Sequence, residues 1–331
     1  MIINCHCHIF DLSCVPPKFK ERFGINLKNP LHKTVFWLLR RFLPSECAPA
    51  HYLGLAEKSI LEIAQKLVQE MDAAVYELCT PLMMDMEYNS AFGGGTKAYQ
   101  QQINETAAAC EAINAHYGRV RMMPFIAADP RRPNVTQIVT NALASGKFKG
   151  VKIYPVMDYF PNDERLFDIY RYCLEHHHPI TAHCANEGIP GFDNYYSKCN
   201  PDYWEKVLEK LPALILNLAH NDRTGESWQP KIARLIQKYD NVYTDISFDT
   251  EMWYMPRRYF QSVKRMLNTP KMQDRVLYGT DWYMGRFLWD ETTYFKWYTE
   301  YAKKIIWSRV EFTSAEIKRL TEDNPKRFLG L

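Results

Sequence analysis

The chain has 331 residues, of which 47% are hydrophobic and 24% charged, and 41 Lys and Arg against 38 Asp and Glu leave a formal charge of +3. That balance suits a globular protein with a sizeable core, and so small a charge does not imply nucleic acid or an acidic surface as partner. Every apolar run falls far short of the roughly 20 residues of a membrane helix.

The start MIINCHCH has neither the basic region nor the apolar stretch of a secretory leader. Nine cysteines, an odd number without a CxxC pair, read as reduced thiols rather than staples. A cytoplasmic protein with a small-molecule substrate is expected, with neither nucleic acid nor membrane as partner.

In chain order, short β-rich runs alternate with longer stretches of helical spacing. INCHCH (3–8) comes first, and SILEIAQKLVQEM (59–71) reads as the helix before the second run, AAVYELCT (73–80). RMMPFIA (121–127) and GVKIYP (150–155) follow, then the helix-patterned ERLFDIYRYCLEH (164–176) and the run PITAHC (179–184). ALILNLAH (213–220), NVYTDIS (241–247) and VLYGTD (276–281) complete eight strands. Pro124, Pro179 and Pro212 sit near the starts or interiors of these runs and blur their bounds.

Eight strands, each followed by a helix, predict an α/β fold of the (β/α)8 TIM-barrel type, with residues 1–331 as one domain. Such barrels need about 250 residues, so the surplus is insertion and tail. Residues 14–56 read as a lid-like insertion after the first strand, containing the amphipathic HKTVFWLLRRFLP (32–44). TSAEIKRLTEDNPKRFLGL (313–331) reads as C-terminal closing helices, with Thr313 and Glu316 at the spacing of a capping box.

Strict alternation along the first strand sets Asn4, His6 and His8 on one face and Cys5 and Cys7 on the other. Cysteine packs well beneath helices, which leaves the histidines to bind. A structural zinc held by all four side chains would need a loop, because neighbours on a strand cannot converge on one ion. Lys152, His183, His220 and Asp281 fall at or near the ends of the fourth, fifth, sixth and eighth strands, where barrel active sites are built. Parity turns Lys152, Tyr154, His183 and Asp281 inward, whereas in the sixth strand it puts Asn217 outward with Ile215. His176, His177 and His178 end a helix at the opposite rim, where positive charge suits the helix dipole. A metal shared by His6, His8, His183 and Asp281 is therefore expected.

The ordered set NCHCH, GVKIYP, TAHC, NLAH and YGTD, with the ending NPKRFLGL, resembles the amidohydrolase superfamily over nearly the whole chain. Within it the likeness is to the amidohydrolase-related branch, which includes the aminocarboxymuconate semialdehyde decarboxylase group. The resemblance implies one divalent ion, most often zinc, held by His6, His8, His183 and Asp281. It implies Asp281 as general base and His220 as acid/base and oxyanion stabiliser. In two-metal members His220 would hold a second ion, bridged by a carboxylated lysine at the place of Lys152. The implied reaction is hydrolysis of an amide, ester or lactone bond by an activated water. The alternative is nonhydrolytic decarboxylation of a small unsaturated or aromatic acid. Lys152 and Arg223 are the best candidates to bind a substrate carboxylate, with Tyr154 beside them, and a homodimer is left open.

Overall fold

Strands form at all eight expected places, each shorter than its apolar run. The computed structural model describes residues 1–18, 54–88, 93–185, 196–221, 228–249, 251–287, 289–304 and 308–331. Its strands are β1 (Ile3–Cys7), β2 (Leu78–Pro81), β3 (Phe125–Ala128) and β4 (Gly150–Ile153), then β5 (Ile180–His183), β6 (Leu216–Ala219), β7 (Val242–Asp245) and β8 (Val276–Leu277). β3 to β8 pair in sequence order, all parallel, and β1 pairs parallel with β2. Bridges from Cys79 to Met122, Leu82 to Phe125 and Cys7 to Trp282 join the two sheets into a ring. This is a (β/α)8 TIM barrel.

The prolines mark where strands begin. Pro124 and Pro179 stand immediately before β3 and β5, since a residue without N–H cannot donate within a central ladder. Their carbonyls still accept, from Lys149 N at 2.8 Å and Val151 N at 3.0 Å. β2 starts later than the run 73–80, because α1 (Ile60–Ala73) claims Ala73. Ser59 and Glu62 form the capping box of α1, and Ile60, Ile63, Ala64, Leu67, Val68 and Met71 bury one face. β8 is shorter than the run 276–281, yet its backbone stays beside β1, with Cys5 N donating to Tyr278 O (2.8 Å) and Asp281 N to His6 O (2.9 Å).

The outer layer consists of α2 (Tyr99–Tyr117), α3 (Val135–Ala144), α4 (Phe167–Glu175), α5 (Asp202–Lys210), α6 (Gln229–Lys238) and α7 (Pro256–Met266). After β8 come α8 (Glu291–Lys296), α9 (Ser314–Lys318), which Thr313 and Glu316 open with a capping box, and α10 (Asn324–Leu329). Phe328 of α10 stacks on Phe125 of β3 at 6.3 Å and meets Tyr243 of β7 at 5.3 Å. β3 and β7 face each other across the ring, so the closing helix plugs the barrel floor, where Ile3, Cys5, Leu78 and Leu277 join the cluster.

No helix among the described residues is long and apolar enough to cross a membrane. Most of the expected insertion, residues 19–53 with the 32–44 stretch, lies outside the described residues.

Candidate metal centre

β1 departs from simple alternation. Ile3 pairs with Leu78, Asn4 with Cys79 and Cys7 with Pro81, so three steps on β1 oppose two on β2. This is a β-bulge, and it corrects the expected faces. Cys5 joins Ile3 in the interior cluster, while Asn4 donates to Thr280 Oγ1 (2.7 Å) and reaches Glu291 of α8 (3.5 Å). Cys7 packs in the main core, and His6 and His8 both turn to the barrel mouth. β8 needs a glycine where His6 crosses it: a Cβ on Gly279 would lie 2.7 Å from His6 Cβ.

The hydrogen bonds of the two rings set their tautomers. His8 Nδ1 lies 2.8 Å from the carbonyl of Leu82, which can only accept, so Nδ1 carries the proton. His6 Nδ1 lies 3.0 Å from Asp245 Oδ2 and donates to that carboxylate. Burial, reinforced by the charge of Lys152, lowers the His6 pKa to about 3, so its ring is neutral. Both Nε2 atoms face the same oxygen: Asp281 Oδ1 is 3.0 Å from His8 Nε2 and 3.5 Å from His6 Nε2. His6 Nε2 is buried without a hydrogen-bond partner among the described residues. Two imidazole nitrogens and a carboxylate oxygen converging in one place are the donor set of zinc and similar divalent ions.

His183 ends β5, its ring 4.7 Å from that of His220, which in turn lies 4.7 Å from His6. One ligand atom each from His6, His8 and Asp281 lies within 4.8 Å of the others, as do those of His6, His220 and Asp245; His183 belongs to neither group. The sixth strand corrects the expected parity. Asn217 points inward, donating to Asp245 Oδ2 at 2.7 Å, while Leu216 and Leu218 pack in the main core. His220 follows the strand with φ of +72° and thereby reaches the same side as Asn217. Asp281 has φ of +55°, again left-handed, and such backbone strain at non-glycine residues collects at functional sites. His220 Nδ1 is 3.2 Å from Ser247 O and 3.0 Å from Ser247 Oγ, which leaves Nε2 as its outer nitrogen.

Lys152 on β4 is 1% exposed, with Nζ 5.8 Å from the Tyr154 ring. No carboxylate pairs with it among the described residues. Burial lowers its pKa to about 8, against the pull of Asp245 and Asp281. Tyr154 is buried, its ring 5.1 Å from His183. Arg223 lies outside the described residues.

Asp245 and Ser247 escaped the sequence reading. Asp245 is fully buried at the end of β7, and burial would raise its carboxyl, but His6, His220 and Ser247 hold it well below the usual range. The signal lay in NVYTDIS, where an acid closes an otherwise apolar, strand-like run. A carboxylate so placed needs several donors to be tolerated.

The family profile described as amidohydrolase matches residues 3–331. No curated protein matches the sequence significantly. Among solved structures, the chain is similar to an uncharacterised TIM-barrel protein from Bordetella bronchiseptica, at 15% identity and a TM-score of 0.60, with 99% of this chain and 98% of that one covered. It is similar to a protein titled amidohydrolase II at 14% identity and a TM-score of 0.60, with both chains covered in full. A third is 4-oxalomesaconate hydratase from Rhodopseudomonas palustris, at 14% identity and a TM-score of 0.57, covering 100% of this chain and 96% of that one. At these identities the likeness speaks to the fold.

Proposed function

The chain belongs to the amidohydrolase family, and on that premise we propose that it is a hydrolase of one divalent ion, with zinc the first candidate, cleaving an amide, ester or lactone bond in a small carboxylate-bearing molecule. The observation that carries this reading is the convergence of His6 Nε2 and His8 Nε2 on Asp281 Oδ1, with both Nδ1 protons committed elsewhere. His6, His8, His183 and Asp281 would hold the ion. When bound, it would supply Lewis acidity and lower the pKa of water from 15.7 towards about 7.

The remaining steps fall to side chains. Asp281 takes the proton of the attacking water and returns it to the leaving group. His220 donates through Nδ1 to Ser247 O and, with a second proton on Nε2, would donate from that nitrogen to the substrate oxygen on which charge develops. Lys152 stays cationic, uncarboxylated, and receives the substrate carboxylate beside Tyr154, with Arg223 as its partner in that role.

A second reading is nonhydrolytic decarboxylation of a small unsaturated or aromatic acid, favoured by the same buried Lys152, which pairs with no carboxylate among the described residues. There Asp281 would protonate the carbon that loses carbon dioxide. The test is a screen of amides, esters and lactones with the zinc-loaded protein, before and after chelation, alongside measurement of carbon dioxide release from small unsaturated acids. Chelator-sensitive hydrolysis is the expected result. Turnover indifferent to chelation overturns the metal reading, and carbon dioxide release without hydrolysis transfers the assignment to the second.

A further inference from the structure

The structure assigns Asp245 a role as a positioning residue: we propose that it fixes the tautomer of His6, so that exchanging its carboxylate for an amide weakens metal binding while the barrel stays folded. This rests on the metal centre proposed above.

Five donors meet the Asp245 carboxylate. Oδ2 accepts from His6 Nδ1 (3.0 Å) and Asn217 Nδ2 (2.7 Å). Oδ1 accepts from the backbone N–H groups of His220 (2.9 Å) and Ser247 (3.1 Å) and from the Ser247 hydroxyl. Asp245 meets His6 at Nδ1, whereas Asp281 faces Nε2, so relative to the His6, His8 and Asp281 group Asp245 stands behind the ring. A carboxylate behind a ligand imidazole sets its tautomer and orientation.

The two sides of the carboxylate are not equivalent. Backbone N–H groups cannot become acceptors, so an amide nitrogen placed at Oδ1 would oppose two fixed donors. Asp245→Asn must therefore turn its NH2 towards the Oδ2 side, where both partners can adapt. Asn217 can flip, since its own Oδ1 is buried and has no hydrogen-bond partner among the described residues. His6 can accept at Nδ1 by moving its proton to Nε2. That proton then points at Asp281 Oδ1, 3.5 Å away, and occupies the lone pair the metal requires. The variant trades a buried acceptor without a partner for a buried donor without one, at the flipped Asn217, so it should fold with some loss of stability. An isosteric amide behind a catalytic imidazole acts in the same way elsewhere, leaving the geometry but presenting the wrong tautomer. Ser247 Oγ, 3.0 Å from both His6 Nδ1 and His220 Nδ1, is the competing acceptor that could rescue the original tautomer.

The experiment measures zinc affinity of the full-length wild type and Asp245→Asn by competition with a chromophoric chelator, with thermal unfolding as the check on folding. A loss of about 10- to 100-fold is expected for the amide. In parallel, 15N spectra of the histidine-labelled, metal-free wild type read the His6 tautomer directly, without any variant. Nδ1–H with a bare Nε2 is expected, and Nε2–H overturns the inference. Equal zinc affinity in the two proteins overturns it as well. A wild type that takes up no zinc refutes the metal centre instead, and the His6 tautomer still judges the role of Asp245.

Discussion

Glu291 offers the sharpest quantitative test of the network behind the site. Its side chain opens α8 and is 1% exposed, accepting from Thr280 Oγ1 at 2.7 Å. Burial, opposed by the Thr280 bond and aided by the charge of Glu70, raises its pKa from 4.5 to about 8. The folded protein therefore holds a proton that the unfolded chain has released. The associated stability is fully present below about pH 4.5 and is lost as pH rises towards 8. One proton corresponds to about 1.4 kcal/mol per pH unit, so the change across this window amounts to about 5 kcal/mol. Glu291→Gln keeps the shape and cannot titrate. Urea unfolding of both proteins at matched metal loading, from pH 5 to 8, cancels every other titrating group in the difference. The stability of wild type relative to variant should fall by about 4 kcal/mol over those three units. Parallel curves would show that Glu291 is ionised in the folded state throughout, and the account of its burial would be wrong.

The proposed substrate anchor carries its own pH signature. With its pKa lowered to about 8, Lys152 loses its charge as pH rises through that value, so KM for a carboxylate substrate should climb above pH 8 in the wild type and stay flat in Lys152→Arg. Initial rates from pH 6 to 10 decide this, and matching profiles would remove Lys152 from the substrate. Beyond the site, the ends of β2 and β3 are held by Arg132, which grips Asp85 with both Nε (2.6 Å) and Nη2 (2.8 Å). Asp85→Asn should cost about 3 kcal/mol in urea unfolding, the low end for a broken buried pair, because Glu87 remains within 2.6 Å of Arg132. A cost under about 1 kcal/mol would mark the pair as dispensable.

The order of elements was legible from the sequence by itself. Apolar runs, helical spacing, prolines at strand starts and the Thr313–Glu316 capping box are properties of neighbouring residues, and burial and backbone chemistry act on them locally. The placing of Lys152, His183 and Asp281 at strand ends followed from those run boundaries. Tertiary structure alone decided the bulge between Asn4 and Cys7, because an extra residue in a strand shows only against its partner's register. Counting by twos consequently misplaced Cys5 and Asn4, and it misplaced Asn217 because His220 leaves β6 in a left-handed turn. Asp245 is the deepest case. Its value comes from donors on β1, β6 and beyond its own strand, brought together across some 240 residues of chain that no local pattern spans.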